Sequence, residues 1–280
     1  MRLLALIKND IEFNRNLYNL TDALGKISVS QYYVLEKRTH TFGAIYTALD
    51  ELFPLIDAAQ SHSPFVKTEK RPLGIIAVTS DSGLLGGLNM QVMNLAAKEA
   101  REFGARLIII GEKGRSYAQE NSLHCTLFKG IQDDAKFAQA RQLRDYVVDE
   151  VLSLRLGALK IIYPYPVSIV SQKVQSLMLL PVASRIDKTK APTDAIVESS
   201  VDDILEYVAS TFLGNKFYEI FGLARLAELS ARFMHLENSK TKIDELNKQL
   251  RLQYFRQKHE LTDRTMRELF AARMAFKVGS

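Results

Sequence analysis

Proline is confined to the middle of this chain. All seven prolines lie between Pro54 and Pro192, so the first 53 and the last 88 residues carry none of the residue that breaks helices. Both arms place apolar residues at helical spacing, and each is expected to run as one long helix. At ~1.5 Å per residue, Val201 to Phe276 would extend on the order of 110 Å, far more than a compact domain needs. The organisation that follows is an N-terminal helix over residues 1–56, a separate globular domain over 70–185 and a C-terminal helix over 200–277.

In the N-terminal arm, Leu17, Leu20, Leu24 and Ile27 alternate steps of three and four, and Phe42, Ile45, Leu49 and Leu52 repeat them. That spacing predicts a narrow coiled-coil seam rather than a wide globular face. Gly25 and Gly43 interrupt it at a cost of about 1 kcal/mol each, marking either close helix approach or a weak spot. The C-terminal arm opens with Asp202 and Asp203, which suit the helix dipole, and sets its own seam with Leu229, Phe233, Leu236, Ile243, Leu246, Leu250 and Tyr254. Neither arm buries such a stripe alone, so the two are expected to pair. The N-terminal arm is shorter, so the far end of its partner should emerge bare.

That bare end carries the charge. The net charge of the chain is +5, and Lys240 to Lys277 holds ten Lys and Arg against five Asp and Glu, which accounts for all of it. An apolar and basic helix tip is expected to insert into another protein. Nucleic acid and an anionic membrane are the other partners such charge suggests, and the interleaved acids weigh against nucleic acid. With 47% hydrophobic residues the chain can bury a real core, yet no apolar run reaches the ~18 residues of a membrane span. Lys8 and Asp10 interrupt the apolar start, so no signal peptide is expected. One cysteine, Cys125, excludes an internal disulfide and a cysteine-cluster metal site, reads as a small apolar filler on a strand, and fits a cytosolic or matrix-facing compartment.

The middle alternates strands and helices. Strands are predicted at 74–79, 106–111, 123–128, 159–163 and 174–180, with helices at 90–103, 113–121 and 135–156. This is the pattern of a small doubly wound α/β sheet, Rossmann-like in kind. Between the first strand and helix lies Gly83-Leu84-Leu85-Gly86-Gly87-Leu88-Asn89, where dinucleotide phosphates often sit, and Glu112 stands where a ribose-binding acid would. A nucleotide-binding enzyme with coiled-coil arms would use Gly83, Gly86, Gly87 and Glu112. The spacing is not G-x-G-x-x-G, no P-loop Lys-Ser follows, and three leucines suit packing better than a wet phosphate pocket. A tight turn is the stronger account. The five histidines, His40, His62, His124, His235 and His259, show no metal-ligand spacing, and no catalytic constellation emerges.

Ser80-Asp81-Ser82-Gly83-Leu84-Leu85-Gly86-Gly87-Leu88-Asn89 closely resembles the signature of the gamma subunit of F-type ATP synthases, S-D-[basic]-G-L-C-G-G-L-N, departing only at Ser82 and Leu85. Ile110-Gly111-Glu112-Lys113-Gly114 is similar to the family's I-G-x-K-G, and Ser171-Gln172 with Leu179-Leu180-Pro181 to its S-Q…L-L-P. In the arms, Ile7-Lys8, Ile11, Asn16, Leu20-Thr21 and Ala23-Leu24, then Glu228, Ala231-Arg232, Met234, Glu237-Asn238, Leu250, Leu252 and Tyr254, fall on the family pattern. The resemblance covers nearly the whole chain in order.

It implies a Rossmann-like domain between two terminal helices in an antiparallel coiled coil, serving as a central rotor stalk without catalytic residues, cofactor or metal of its own. The partners it implies are a ring of alpha and beta subunits, an epsilon subunit and a membrane ring of c subunits, without nucleic acid, at the cytoplasmic face of a bacterial inner membrane. Contact with the alpha and beta ring is expected from Lys258, His259, Arg264, Arg267, Leu269 and Phe270, and a structural turn from Ser80, Asp81, Gly83, Gly86, Gly87 and Asn89. The chain departs from the family at Lys258-His259, where R-Q is usual, at Asp22 for a usual Lys, and at Pro164-Tyr165-Pro166. These departures suggest a divergent member, such as one from a second ATPase operon.

Overall fold

The computed structural model describes residues 2–39, 63–66, 71–181 and 200–278. Their order is α1 (Arg2–Thr39), β1 (Leu73–Val78), α2 (Leu88–Phe103), β2 (Arg106–Ile110), α3 (Glu112–Glu120), β3 (Cys125–Phe128), α4 (Lys136–Leu152), β4 (Ala158–Ser168), β5 (Ser171–Leu180) and α5 (Val201–Val278). Phe42, Gly43, Ile45, Leu49, Leu52 and Pro54, on which the second half of the N-terminal arm was expected, lie outside the described residues. The contacts group the chain into two units, residues 1–27 with 235–280, and residues 28–234.

The larger unit is a five-stranded sheet in the order β3-β2-β1-β4-β5. β1 lies parallel to β2 and to β4, β2 parallel to β3, and β5 closes one edge antiparallel to β4. Strand alternation sorts the core into two layers. Ile75, Ala77, Leu107 and Ile109 face Val92, Met93 and Ala96 of α2 and Ala118 of α3. Ile76, Val78, Ile108 and Ile110 face Leu143, Val147 and Val151 of α4 and, from α5, Phe212, Phe217 and Phe221. The doubly wound sheet expected from the pattern is present, and the first six turns of the C-terminal helix form one of its covering layers.

The hairpin of β4 and β5 is longer than the apolar runs suggest, because β4 continues through Pro164 and Pro166. The ladder with β1 ends at Ile162, so beyond that point β4 pairs with β5 alone. Two prolines spaced by two residues turn their missing N–H groups to the same, unpaired side, where a strand tolerates them.

In the smaller unit α1 and α5 run antiparallel: Lys240 Nζ donates to Asp22 Oδ1 at 2.7 Å, and the Cα of Gly25 faces Glu237. The seam corrects the expectation on α1, whereas on α5 Leu229, Phe233, Leu236, Ile243, Leu250 and Tyr254 turn inward as expected and Leu246 alone departs. Leu17, Leu20, Leu24 and Ile27 are exposed, Leu20 at 57% and Ile27 at 52%. The buried positions lie one residue further on, at Ile7, Asn14, Thr21, Gly25, Ser28 and Tyr32, with Ile11 half-buried. Two heptad stripes therefore coexist on α1, about 100° apart. A helix pair buries only one stripe of each partner, and on α1 it is the one of small and polar residues. On α5 the same rule leaves Leu246 exposed and turns Ile243, Asn247, Leu250, Tyr254 and Gln257 inward.

Candidate functional site

The glycine loop between β1 and α2 is closed by its own polar ends. Asn89 Oδ1 accepts from the Ser80 amide at 3.1 Å, and its Nδ2 donates to Ser80 Oγ at 2.8 Å. Ser80 Oγ donates in turn to the carbonyl of Ser82 at 2.8 Å. Between these ties the chain turns through three residues of positive φ, Leu84 at 64°, Gly86 at 57° and Gly87 at 91°, the last forming the N-cap of α2. Glycine adopts this conformation without the Cβ clash that strains Leu84. Gly83 has ordinary φ and open space around it. Asp81 points to the neighbouring strand and accepts from the Glu112 amide at 2.8 Å, capping α3.

The next motif is shaped by steric demand. A Cβ on Gly111, whose φ is 100°, would fall inside the carbonyl of Thr79, and one on Gly114 would meet Ile109 Cγ2 at 2.5 Å. Thr79 Oγ1 donates to the Ile110 carbonyl at 2.6 Å and accepts from the Gly114 amide at 3.0 Å, so the start of α3 sits hard against the end of β1.

The residues of the nucleotide-enzyme alternative are not brought together. A cleft of about 480 Å³ opens beyond β1, β2 and β3, and Glu112, Asp81, Arg115 and Lys129 line it, whereas Gly83, Gly86 and Gly87 do not. Glu112 pairs with Arg115 at 3.5 Å. The inner side of the glycine loop is apolar: Leu85 and Leu88 are buried against Ala231 of α5. Cys125 opens β3 half-buried, with its thiol pushed up by burial. Among the described residues no group of His, Cys, Asp and Glu is arranged to hold a metal ion.

A polar belt on α5 was not anticipated as a unit, although Glu228 and Arg232 were noted singly. Arg232 donates to Ser82 Oγ at 2.6 Å. Arg225 donates to Glu228 at 2.7 Å and to Asp133, in the loop before α4, at 3.4 Å. Ser230 lies within 3.0 Å of the Ser168 carbonyl and 3.2 Å of Gln172 Oε1. Burial raises the Glu228 carboxyl above the usual range despite the opposing pull of Arg225. Burial lowers Arg232, while the carboxylates of Glu228 and Asp133 outweigh burial at Arg225 and raise it. The available signal was three charged residues within the most apolar stretch of the C-terminal arm.

The far end of α5 is bare. Every side chain from Lys258 to Met274 is exposed. At ~100° per residue, Lys258, His259, Arg264, Arg267, Leu269 and Phe270 are spread over about 240° of the helix rather than along one face. Arg264 is occupied by Glu268 at 2.9 Å, and Arg267 reaches back to the Asp263 carbonyl at 3.3 Å. Leu269 and Phe270 are each 61% exposed.

A family model described as ATP synthase matches residues 4–269. The chain belongs to the ATP synthase gamma chain family. It is 28% identical over 210 residues to the ATP synthase gamma chain of Symbiobacterium thermophilum, covering 72% of each chain. It is 25% identical over 280 residues to that of Clostridium perfringens, covering 97% of each. Among solved structures it resembles a chain of the Euglena gracilis mitochondrial ATP synthase in an OSCP/F1/c-ring assembly, with TM-score 0.67 and 17% identity over 99% of this chain and 95% of the other. The fold of this gamma-family chain is accordingly that of a rotor chain in the same Euglena enzyme, with TM-score 0.65 over 93% of this chain and 99% of the other. No described helix of the gamma-family chain is long and apolar enough to cross a membrane.

Proposed function

We propose that this chain is the central rotor stalk of an F-type ATP synthase, coupling ion flow through the membrane sector to ATP synthesis or hydrolysis on the beta subunits. The observation that carries the reading is the free end of α5, whose apolar and basic side chains face outward in every direction over 17 residues, Lys258 to Met274. Exposed leucine, methionine and phenylalanine spread over about 220° of one helix, with basic side chains on the rest, suit insertion into a surrounding ring, not docking on a single face. Family membership supplies the ring: alternating alpha and beta subunits around the tip, with the α/β body against epsilon and the c subunits. Contact at the tip is assigned to Lys258, His259, Arg264, Arg267, Leu269 and Phe270. Ser80, Asp81, Gly83, Gly86, Gly87 and Asn89 serve as a structural turn.

The chain itself performs no chemistry in this reading. Nucleotide turnover belongs to the beta subunits, and the glycine loop, its leucines packed on Ala231, acts in packing. Its place is peripheral, at the cytoplasmic face of a bacterial inner membrane or the matrix side of an organellar one.

Purifying the tagged chain from native membranes in mild detergent and weighing what accompanies it tests the proposal. Alpha and beta subunits in threefold excess over this chain are the expected result. Recovery of the chain alone, or with nucleic acid, from a preparation whose ATPase is otherwise intact would overturn it. Titration of the purified chain with adenine nucleotides should show no saturable binding.

A further inference from the structure

Two turns of α5 meet three separate loops of the α/β body. Arg225 reaches Asp133 before α4, Ser230 reaches the β4–β5 hairpin at Ser168 and Gln172, and Arg232 reaches Ser82 in the glycine loop. Buried apolar residues fill between them, with Ala231 against Leu85 and Leu88, and Leu226 and Leu229 beside Ile169 at the hairpin tip. At ~100° per residue, Arg225, Glu228 and Arg232 share one face of the helix and Ser230 lies on roughly the opposite one. The helix is held from two sides at one level.

We propose that this belt is where torque passes between the α/β body and α5, with Arg232 and Ser82 as positioning residues that latch the glycine loop to the shaft. The proposal rests on the rotor reading above. A rotary load acts tangentially to α5. Apolar contacts are non-directional and resist such sliding weakly, whereas a charged hydrogen bond is lost when its geometry shifts. Arg232 is half-buried and Ser82 exposed, so their bond sits at the solvent edge of the packed Leu85, Leu88 and Ala231. The force does not stop at Ser82: its carbonyl is held by Ser80, and Ser80 is held by Asn89 at the start of α2. The latch therefore links α5 to the end of β1 and the first turn of α2. Asp81 extends the same chain of ties to α3 through the Glu112 amide.

The test uses the assembled complex in membrane vesicles, carrying Arg232→Ala, Ser82→Ala or both. ATP hydrolysis and ATP-driven ion pumping are measured on the same vesicles. Each single variant should keep hydrolysis near the parent rate while ions pumped per ATP fall about two-fold, as expected for loss of one charged hydrogen bond under load. The double variant should fall no further than either single one, because both remove the same bond. A second arm replaces Cys125 by Ser and introduces Ser82→Cys with Arg232→Cys. Coupling should be low with free thiols and return when a short bis-maleimide bridges them, a rescue that a merely structural role for either residue would not give. Unchanged coupling in both single variants, or low coupling that persists after bridging, would overturn the latch. Where Arg232→Ala does not assemble, Ser82→Ala and the bridged pair are read by the same criteria. Failure of the rotor reading is seen separately, as absence of alpha and beta subunits from the parent complex.

Discussion

Glycines that look alike in the sequence are held for different reasons. Gly111 sits at a φ of 100° with the Thr79 carbonyl where a side chain would go. Gly25 lies in ordinary helix, and a Cβ there would stand 3.7 Å from Glu237 Oε1, an ordinary van der Waals contact. Neither close approach nor φ requires glycine at position 25. Gly25→Ala should therefore stabilise α1 by about 0.5–1 kcal/mol through helix propensity, raising the unfolding temperature of the full chain. Gly111→Ala should destabilise the α/β unit by more than about 3 kcal/mol, because strain and a backbone clash add. Thermal unfolding of the two variants beside the parent separates the cases. Asp22 supplies a pH prediction. Hydrogen bonds from Lys240 and then Lys26 hold its carboxyl down to about 2 from an ordinary 3.8. A depressed carboxylate contributes stability above its unfolded value and loses it as pH falls through the folded one. The gap in unfolding temperature between the parent and Asp22→Asn should thus be full above about pH 4 and vanish towards pH 2, and it should shrink in part in high salt because Lys26, the second partner, is exposed.

At the scale of the element, α1 shows how a periodic pattern can be read correctly and placed on the wrong face. Leu17, Leu20, Leu24 and Ile27 have the spacing of a seam, but Thr21, Gly25 and Ser28 occupy it. Spacing reports that a stripe exists. It does not report which of two stripes the partner covers, and small polar residues give a hydropathy pattern no sign of their burial. The consequence is measurable. Leu20→Gln or Phe13→Gln should change the stability of the isolated full chain by no more than about 0.5 kcal/mol, as exposed positions do. Tyr32→Ala, at a position 4% exposed against Leu226 and Leu229, should cost about 3 kcal/mol. A large loss from Leu20→Gln in the chain alone would put the seam back on the leucines.

For the molecule as a whole, α5 takes on three roles along one continuous helix. Its first part is a wall of the α/β core, its middle pairs with α1, and its last part stands bare. The side chains from Thr265 to Met274 are all exposed, so with the residues after Arg264 removed the α/β unit should fold unchanged by circular dichroism and limited proteolysis. ATP-driven pumping per ATP hydrolysed should nevertheless fall in the assembled complex. Full pumping by the truncated chain would mean that the tip carries no torque.

Much of this was present in one dimension. The proline-free arms, the alternation of strands and helices, and the terminal bare helix follow from local rules: proline breaks helices, strands alternate every two residues, and a longer helix outlasts a shorter partner. The family motifs were also local strings, legible without coordinates. Tertiary structure alone decided which stripe of α1 is buried, how far β4 continues through two prolines, and that Ser82, Gln172 and Asp133 converge on two turns of α5. Ser82 and Arg232 are 150 residues apart. Propensity and periodicity describe each residue against its near neighbours, whereas such a contact exists only once sheet order and helix direction have brought distant segments together.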